Sequence, residues 1–399
     1  MNKKIKVVMV GLGYIGLPTA AIIASKNIQV LGVDVKQEVV DTINKGEIHI
    51  IEPKLDELVK EVVNKGFLKA ALSPANADVY LIAVPTPFKG DYEPDIAYVE
   101  AAIRKLIPTL TKGALVIIES TSPIGTTEKM QKIIFSERPE LKGEIFIAFC
   151  PERVLPGNVL FELKNNDRAI GGINPESTEK AVVFYQNFVQ GELHKTNART
   201  AELTKLVENS SRDVQIAFAN ELSMICDKAN IDVWELINLA NKHPRVNILQ
   251  PGTGVGGHCI AVDPWFIVSA FPKEAKIIKA AREINNYKTE WVIEKIKNHT
   301  LHFKINQNRE PIIVCLGLAF KPNIDDLRTS PALHVAKTLK NEGLNIITVE
   351  PNIKEHNEFK IYSMKDALEK ADIIVVLVAH KEFRGLKISK PILDFCNII

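Results

Sequence analysis

Gly11-Leu12-Gly13-Tyr14-Ile15-Gly16 stands between an apolar run rich in β-branched residues, 5–10, and a stretch, 17–25, that reads as a helix. A GxGxxG alone is weak evidence. Here it follows a buried-strand pattern and opens a helix, and a second strand, 29–34, ends in Asp34, eighteen residues past Gly16. Gly11 permits a tight turn, Gly13 lets backbone amides approach a pyrophosphate, and Gly16 lets helix and strand pack closely. The helix start stabilises negative charge. Tyr14 and Ile15 lie inside the turn and join the three glycines as cofactor contacts. Asp34 is placed to accept from a ribose 2′-OH and to repel a 2′-phosphate, so NAD is expected rather than NADP. The competing reading is a glycine turn that only packs a sheet.

Outward from this unit, strands are expected at 79–84, 114–119 and 144–149, with helical patterns between them, such as 97–107. Strands alternating with helices make a doubly wound sheet. From about residue 200 the strand signals stop. A helix without Pro or Gly is expected over 201–229, with others over 233–241 and 273–297. The polar stretch 298–309 reads as a linker. Strand patterns resume at 312–318, 345–349 and 373–378, with a helix from Pro331. The fold class expected is therefore α/β: two doubly wound, Rossmann-like domains joined by a helical middle section with one long helix. The boundaries are 1–199 for the NAD-binding domain, 200–300 for the middle and 301–399 for the second, smaller α/β domain.

The whole chain excludes several classes. Its 399 residues, 46% apolar and 25% charged, supply ordinary globular cores. A net charge of +2, with no run of five basic residues, does not fit a partner selected by charge, so no nucleic acid is expected. Five cysteines, widely spaced and without a CxxC pair, fit neither a disulfide framework nor a metal site. No apolar run is long enough for a bilayer, so no membrane is expected. Residues 1–24 superficially resemble a signal peptide, but glycines break the apolar region. They read as the first βα unit of a cytoplasmic protein.

Gly254-Val255-Gly256-Gly257-His258-Cys259, with Asp263 four residues on, is the strongest chemical signal. Glycines beside a thiol leave space for a ligand, and a thiolate can add to an aldehyde and make a second hydride available. The alternative is a buried, inert cysteine. Cys150, Cys226 and Cys315 look core-like. His258 has three open readings: lowering the thiol pKa, touching substrate, or packing as a ring.

Lys205, Asn209 and Arg212 fall within about 60° of helical arc. That is equipment for a developing alkoxide or a catalytic water, or a solvated surface. Ile216 and Asn220 continue the stripe. Thr86 in Pro85-Thr86-Pro87, Thr121 in Ser120-Thr121-Ser122-Pro123 and Glu152 in Pro151-Glu152-Arg153 each follow a strand. They would lie at the carboxyl edge of the sheet, where ligands bind. The threonines read equally as turn residues, and Glu152 as the ion-pair partner of Arg153 or Arg168. Ser330 and Pro331 make a good N-cap and first-turn pair. Near that helix start Lys321 and Arg328 supply positive charge, and with Arg245 they are the candidate cations for a pyrophosphate.

These segments resemble the UDP-glucose/GDP-mannose dehydrogenases along essentially the whole length. Gly11–Gly16 with Asp34 resembles the family's NAD site, and Ser120-Thr121-Ser122-Pro123 its threonine-bearing turn. Glu202-Leu203-Thr204-Lys205-Leu206-Val207-Glu208-Asn209 resembles its lysine/asparagine helix, and Gly256-Gly257-His258-Cys259 with Asp263 its nucleophile loop. Residues 317–321 and 325–331 resemble segments of its UDP-binding domain. Residues 243–252 and 258–265, with Pro85-Thr86-Pro87-Phe88-Lys89-Gly90-Asp91, are similar to an N-acetylhexosamine branch. One departure stands out: the UDP-glucose branch usually carries a second glutamate four positions after the one matching Glu152, and here that position is Pro156.

The resemblance implies a double oxidation at C6 of a UDP-N-acetylhexosamine, the mannosamine epimer first and the glucosamine epimer as alternative. It assigns Cys259, Lys205, Asn209, Asp263, Thr121 and Glu152 to catalysis. Cofactor contacts would come from the glycine turn, Asp34, Thr86, Thr121 and Arg328. Substrate contacts would come from Lys205, Asn209, Arg212, Arg245, Asn247, Gly256, His258 and Lys321. It also implies a homodimer through helix 201–229. A two-electron hydroxy-acid dehydrogenase would leave Cys259 and the C-terminal domain without a task. A non-enzymatic nucleotide sensor would release no NADH.

Overall fold

The computed structural model of the chain describes residues 5–90, 92–154 and 157–399. They form two compact units, divided between Val207 and Glu208 inside one long helix, Ala198–Ala229.

The first unit is built on β1 (Lys6–Val10), β2 (Gln29–Val33), β3 (Leu68–Ala71), β4 (Val79–Ile82), a small antiparallel hairpin β5 (Phe88–Lys89) and β6 (Glu93–Pro94), β7 (Leu115–Ile118), β8 (Phe146–Phe149), β9 (Arg168–Gly172) and β10 (Leu193–Asn197). Eight of these strands form one sheet in the order β10-β9-β8-β7-β4-β1-β2-β3. The run from β3 to β8 is parallel, and its order reverses between β1 and β4, which places a ligand crevice outside the carboxyl ends there. Side chains alternate between two cores. Val7, Met9, Leu81 and Ile117 pack on one face, and Val8, Val10, Tyr80, Ile82, Val116 and Ile118 on the other. Helices cover both faces, which is why the strands are apolar throughout.

β3 at one edge of this sheet, and the two strands β9 and β10 at the other, were not expected. β9 meets β8 antiparallel and carries β10 parallel to itself. Arg168 and two glycines in β9, and the polar Leu193-His194-Lys195-Thr196-Asn197 of β10, give no β-branched run to read. The antiparallel join also breaks the strand–helix alternation.

The second unit carries β11 (Ile312–Leu316), β12 (Asn345–Val349), β13 (Ile373–Val376) and β14 (Ile392–Asp394) in the parallel order β12-β11-β13-β14. Cys315 and Val375 face one core, Val314 and Val376 the other. The expected linker at 298–309 is instead the end of a 32-residue helix, Lys276–Gln307, which stops at Asn308 in the left-handed region. No Gly or Pro precedes that point to end the helix. Val292, Ile293 and Ile296 are buried against the sheet, and Thr300 is buried one turn further on. The polar composition of this stretch reflects its solvent side.

A buried polar ladder joins this helix to the part of Ala198–Ala229 within the second unit. Asp213 accepts from Arg282 (2.7 Å) and Asn285 (2.7 Å). Asn220 donates to Asn285 (2.9 Å) and accepts from the Gly252 amide (2.9 Å). Lys288 donates to Ser223 (2.7 Å), and burial lowers its ammonium pKa to about 7. Asn220, read from the sequence as part of a functional stripe, thus anchors the segment leading to Cys259. Among the described residues no helix is long and apolar enough to cross a membrane.

Candidate active site

The glycine turn closes as its spacing predicts. Gly11 has φ +90°, and a Cβ there would come within 2.4 Å of the Ala83 carbonyl oxygen. Gly13 is exposed, and a Cβ on it would meet nothing within 4 Å, so its outer side is clear for a ligand. Helix Gly16–Ala24 starts without a side-chain cap, and since the Leu17 amide donates to the Gly13 carbonyl (3.1 Å), an anion there would meet the amides of the turn that precedes the helix. Asp34 is fixed from behind by amides of Leu12 (3.1 Å) and Lys36 (3.0 Å). These features fit a dinucleotide with a free ribose 2′-OH. Tyr14 is exposed, while Ile15 and Thr86 are half-buried.

At the carboxyl edge of β7 and β8, Thr121 is half-buried. Glu119, two residues before it, belongs to a buried charge cluster of which the sequence announced only the Glu152–Arg168 pair. Glu152 is buried and takes the Arg168 guanidinium at 3.1 Å, the structural alternative left open for it. Its other oxygen accepts from the Arg153 amide (2.7 Å). Glu119, fully buried, accepts from the Tyr185 hydroxyl (2.7 Å), and Arg168 lies over the Tyr185 ring. The second oxygen of Glu119 and Nε of Arg168 have no hydrogen-bond partner among the described residues. Burial pushes Glu119 up to about 7; Arg168 opposes this and the Glu152 charge adds to it. Burial likewise raises Cys150 to about 11, which removes it as a nucleophile at neutral pH. Pro156, and Asp91 in the other quoted segment, lie outside the described residues.

Lys205 is half-exposed, one turn beyond Glu202 on the long helix. Glu202 itself is buried and accepts from the amides of Gly125 (2.6 Å) and Thr127 (2.7 Å), capping helix Thr126–Glu137.

In the second unit, Cys259 is partly exposed, and its carbonyl accepts from the amides of Val262 (3.0 Å) and Asp263 (2.8 Å). Asp263 is buried at the start of helix Asp263–Ala270 and accepts from Asn209 Nδ2 (2.6 Å). The turn bearing the thiol is therefore tied to the helix that follows it. The glycines before it do not act as the sequence suggested. A Cβ on Gly256 would meet the Thr329 carbonyl oxygen at 2.5 Å, and one on Gly257, at φ +84°, would strike the Phe320 ring at 2.7 Å. They admit the chain's own C-terminal segment rather than a ligand. The Gly257 amide donates to the Arg328 carbonyl (3.2 Å), and Thr329 Oγ1 donates to the Gly257 carbonyl (2.9 Å).

The remaining cysteines are unsuited to attack. Burial raises the thiols of Cys226 and Cys315, the latter to about 12, and holds Cys396 higher still. His258 is exposed, as are Arg212, Arg245, Asn247, Lys321 and Arg328. Arg328 is committed to Asp326 through Nε (3.0 Å) and Nη2 (2.6 Å). Burial works to raise Asp326, but those bonds outweigh it and hold the carboxyl below its usual range, with a smaller pull from His258. Ser330 caps helix Pro331–Asn341 from Oγ to the Leu333 amide (3.3 Å) and donates to the Leu318 carbonyl (2.7 Å).

A doubly wound sheet with this strand order and this open glycine turn is that of a dinucleotide-binding protein, the class to which NAD-dependent dehydrogenases belong. Comparison with known proteins narrows the class. Residues 5–189 match the NAD binding domain of the UDP-glucose/GDP-mannose dehydrogenase family, residues 199–287 its central domain and residues 314–399 its UDP binding domain. The chain belongs to this family. It is 56% identical to a UDP-N-acetyl-D-mannosamine dehydrogenase of Campylobacter jejuni, over 99% of this chain and all of that one. It is 52% identical to an NDP-N-acetyl-D-galactosaminuronic acid dehydrogenase of Ralstonia nicotianae, over 95% and 91%. Among solved structures it is similar to a UDP-D-ManNAc dehydrogenase from Pyrococcus horikoshii, at a TM-score of 0.89 and 39% identity over 99% and 96% of the chains.

Proposed function

We propose that this chain oxidises the C6 alcohol of a UDP-N-acetylhexosamine, UDP-N-acetyl-D-mannosamine in the first place, to the uronate. The epimer follows the Campylobacter relative; the galactosaminuronate name of the Ralstonia relative makes the galacto epimer the second reading. The observation that carries the proposal is the Cys259 turn, hydrogen-bonded and partly exposed while burial raises the pKa of every other cysteine. Such a thiol has no use in a two-electron alcohol oxidation.

In this reading residues 1–199 hold NAD through Gly11, Gly13, Tyr14, Ile15, Gly16, Asp34, Thr86 and Thr121, with Arg328 added from the C-terminal segment. Bound NAD supplies the hydride acceptor, used twice per sugar. Lys205 takes the alcohol proton or stabilises the oxyanion, with a water held by Asn209 and Thr121. Cys259 Sγ then forms a bond to C6 of the aldehyde, and the carbonyl oxygen takes a proton. Loss of the second hydride and of that proton leaves C6 as a thioester. Water attacks with help from Glu152 or Asp263; the C–S bond breaks and the electron pair returns to sulfur. The balance is one alcohol, one water and two NAD giving one carboxylate, two NADH and three protons. Residues 301–399 hold the UDP, with Lys321 and Arg245 at the pyrophosphate, and Arg212, Asn247 and His258 line the sugar, while Gly256, closed by Thr329, only carries the loop. Residues 200–300 carry a homodimer contact on the long helix, where Phe218 and Ile225 lie exposed seven residues apart on one face. The cytoplasm is the expected location.

The test is a panel of UDP-sugars with NAD. Two NADH per UDP-N-acetylmannosamine are expected, and one would sink the thioester route. Cys259→Ser should bind both ligands yet lose net turnover by on the order of 10³ or more, while still reducing added 6-aldehyde with NADH.

A further inference from the structure

The C-terminal sheet carries a buried side-chain cluster that the proposed mechanism does not use. Glu350 follows β12 and is 2% exposed; His380 follows β13 and is fully buried. Glu350 Oε2 accepts from the amides of Leu318 (2.8 Å) and Ala319 (3.1 Å) and from His380 Nε2 (3.0 Å). Its Oε1 accepts from the Asn352 amide (3.0 Å) and side chain (3.1 Å). The imidazole's other nitrogen, Nδ1, accepts from the Asn323 amide (2.9 Å) and lies 3.0 Å from Asn352 Nδ2. Nδ1 thus faces the Asn323 amide as its acceptor, and Nε2 faces the Glu350 carboxylate. The edge of Phe383 holds the ring. Asn323 in turn accepts from the Lys381 amide through Oδ1 (2.9 Å), with its own backbone left-handed at φ +62°.

The consequence is local. The turn from Gly317 to Asn323 is gripped at its start by Glu350 and at its end by His380, and Lys321 stands exposed between the two grips. A short turn buried at its start and held at both ends has few conformations, so a cation on its exposed part is pre-positioned and little entropy is lost when an anion binds.

We infer that His380 is a positioning residue for the UDP pyrophosphate: its imidazole, braced by Glu350, fixes the Asn323 end of the turn that presents Lys321. This rests on the reading that the C-terminal segment holds UDP. Asparagine and glutamine separate the two faces of the ring. His380→Asn can keep an acceptor near Nδ1 for the Asn323 amide. His380→Gln can keep a donor near Nε2 for Glu350 and leaves the turn untied.

The experiment measures, on the full chain, the affinity of UDP by calorimetry, KM for UDP-N-acetylmannosamine, kcat and the affinity of NADH. His380→Gln should weaken UDP and raise KM roughly three- to tenfold, the range that one hydrogen bond is worth. Its kcat at saturation and its NADH affinity should stay within about twofold, and His380→Asn should lie closer to the wild type. A merely structural role would move the melting temperature and leave these ratios alone. Asn323→Gly accepts the left-handed backbone, removes the Lys381 tie without touching the buried ring, and should weaken UDP in the same direction. A folded His380→Gln variant with wild-type UDP affinity overturns the inference. Should that variant not fold, unchanged UDP affinity in Asn323→Gly overturns it. Failure of UDP to compete with the UDP-sugar in the wild type would instead remove the reading of the domain.

Discussion

Gly11 and Gly317 hold the same place in two different sheets. Each ends a central parallel strand at φ near +90°, and each donates its amide to the last residue of the next strand, Val33 or Val349, at 2.8 Å. Each faces an acid that follows that strand, Asp34 or Glu350. From there the two turns diverge. Asp34 takes two amides and stays half-exposed beside the 82%-exposed Val35, with the open Gly13 across the turn. Glu350 takes five donors and is closed off by Leu318, Ala319 and His380, all buried. One acid is left partly open to solvent, and the other staples its own domain. The same scaffold serves both because use depends on what surrounds the carboxylate and not on the turn itself.

The comparison breaks most visibly at Glu350. Glu350→Ala leaves His380 and four other donors without their acceptor and should cost about 3 kcal/mol or more in urea unfolding at pH 7. Asp34→Ala should cost less than about 1 kcal/mol. Similar losses at both sites would erase the distinction. Burial works to raise Glu350, but the His380 bond and the Leu318 and Asn352 amides win and hold it at about 2. A folded pKa below the unfolded one means that this stabilisation is present above about pH 4.5 and fades as the pH falls toward 2. The gap between wild type and Glu350→Gln should therefore narrow on acidification.

Glu119 sharpens the same point with the opposite sign. It is also a buried carboxylate, but among the described residues its one hydrogen-bond donor is Tyr185, and it is pushed up to about 7. The folded state then holds a proton that the unfolded chain releases between pH 4.5 and 7, so stability falls across that window and stays low above it. Glu119→Gln should be close to neutral at pH 4.5 and stabilising by up to about 3 kcal/mol at pH 8. An equal effect at both pH values would mean that Glu119 does not titrate there.

Asp34→Ala carries its effect in binding. Loss of a charge-assisted acceptor should weaken NAD by about 1.5–3 kcal/mol and relax the discrimination against NADP. Unchanged cofactor preference would place the ribose elsewhere. The smallest effect is expected from Lys321→Met, which should raise KM for the UDP-sugar by roughly threefold to tenfold and leave NAD affinity alone. A change in NAD affinity without one in KM would reverse the assignment of the two turns.

Much of the first sheet could be read from its residues. The strand, the glycine turn and Asp34 fall within one short stretch, and the steric needs of Gly11 and Gly16 are local. The core strands carried their own apolar runs. β9 and β10 did not, because one begins with a buried Arg168 and the other is a polar edge. The helix through 298–307 was hidden because few of its last residues face the core.

The sequence by itself determined the glycine turn, the strand–helix alternation and which of the five cysteines stands in a glycine-rich loop. These depend on backbone stereochemistry and periodicity, which neighbouring residues set. Tertiary structure decided what the polar residues are for. It closed Gly256 and Gly257 against Phe320 and Thr329, paired Glu152 with Arg168, and set Tyr185 against Glu119 from 66 residues away. It also brought His380 to Glu350 across 30 residues of chain. A carboxylate's pKa and purpose follow from its burial and the donors it finds, and those donors come from distant segments that only folding brings near.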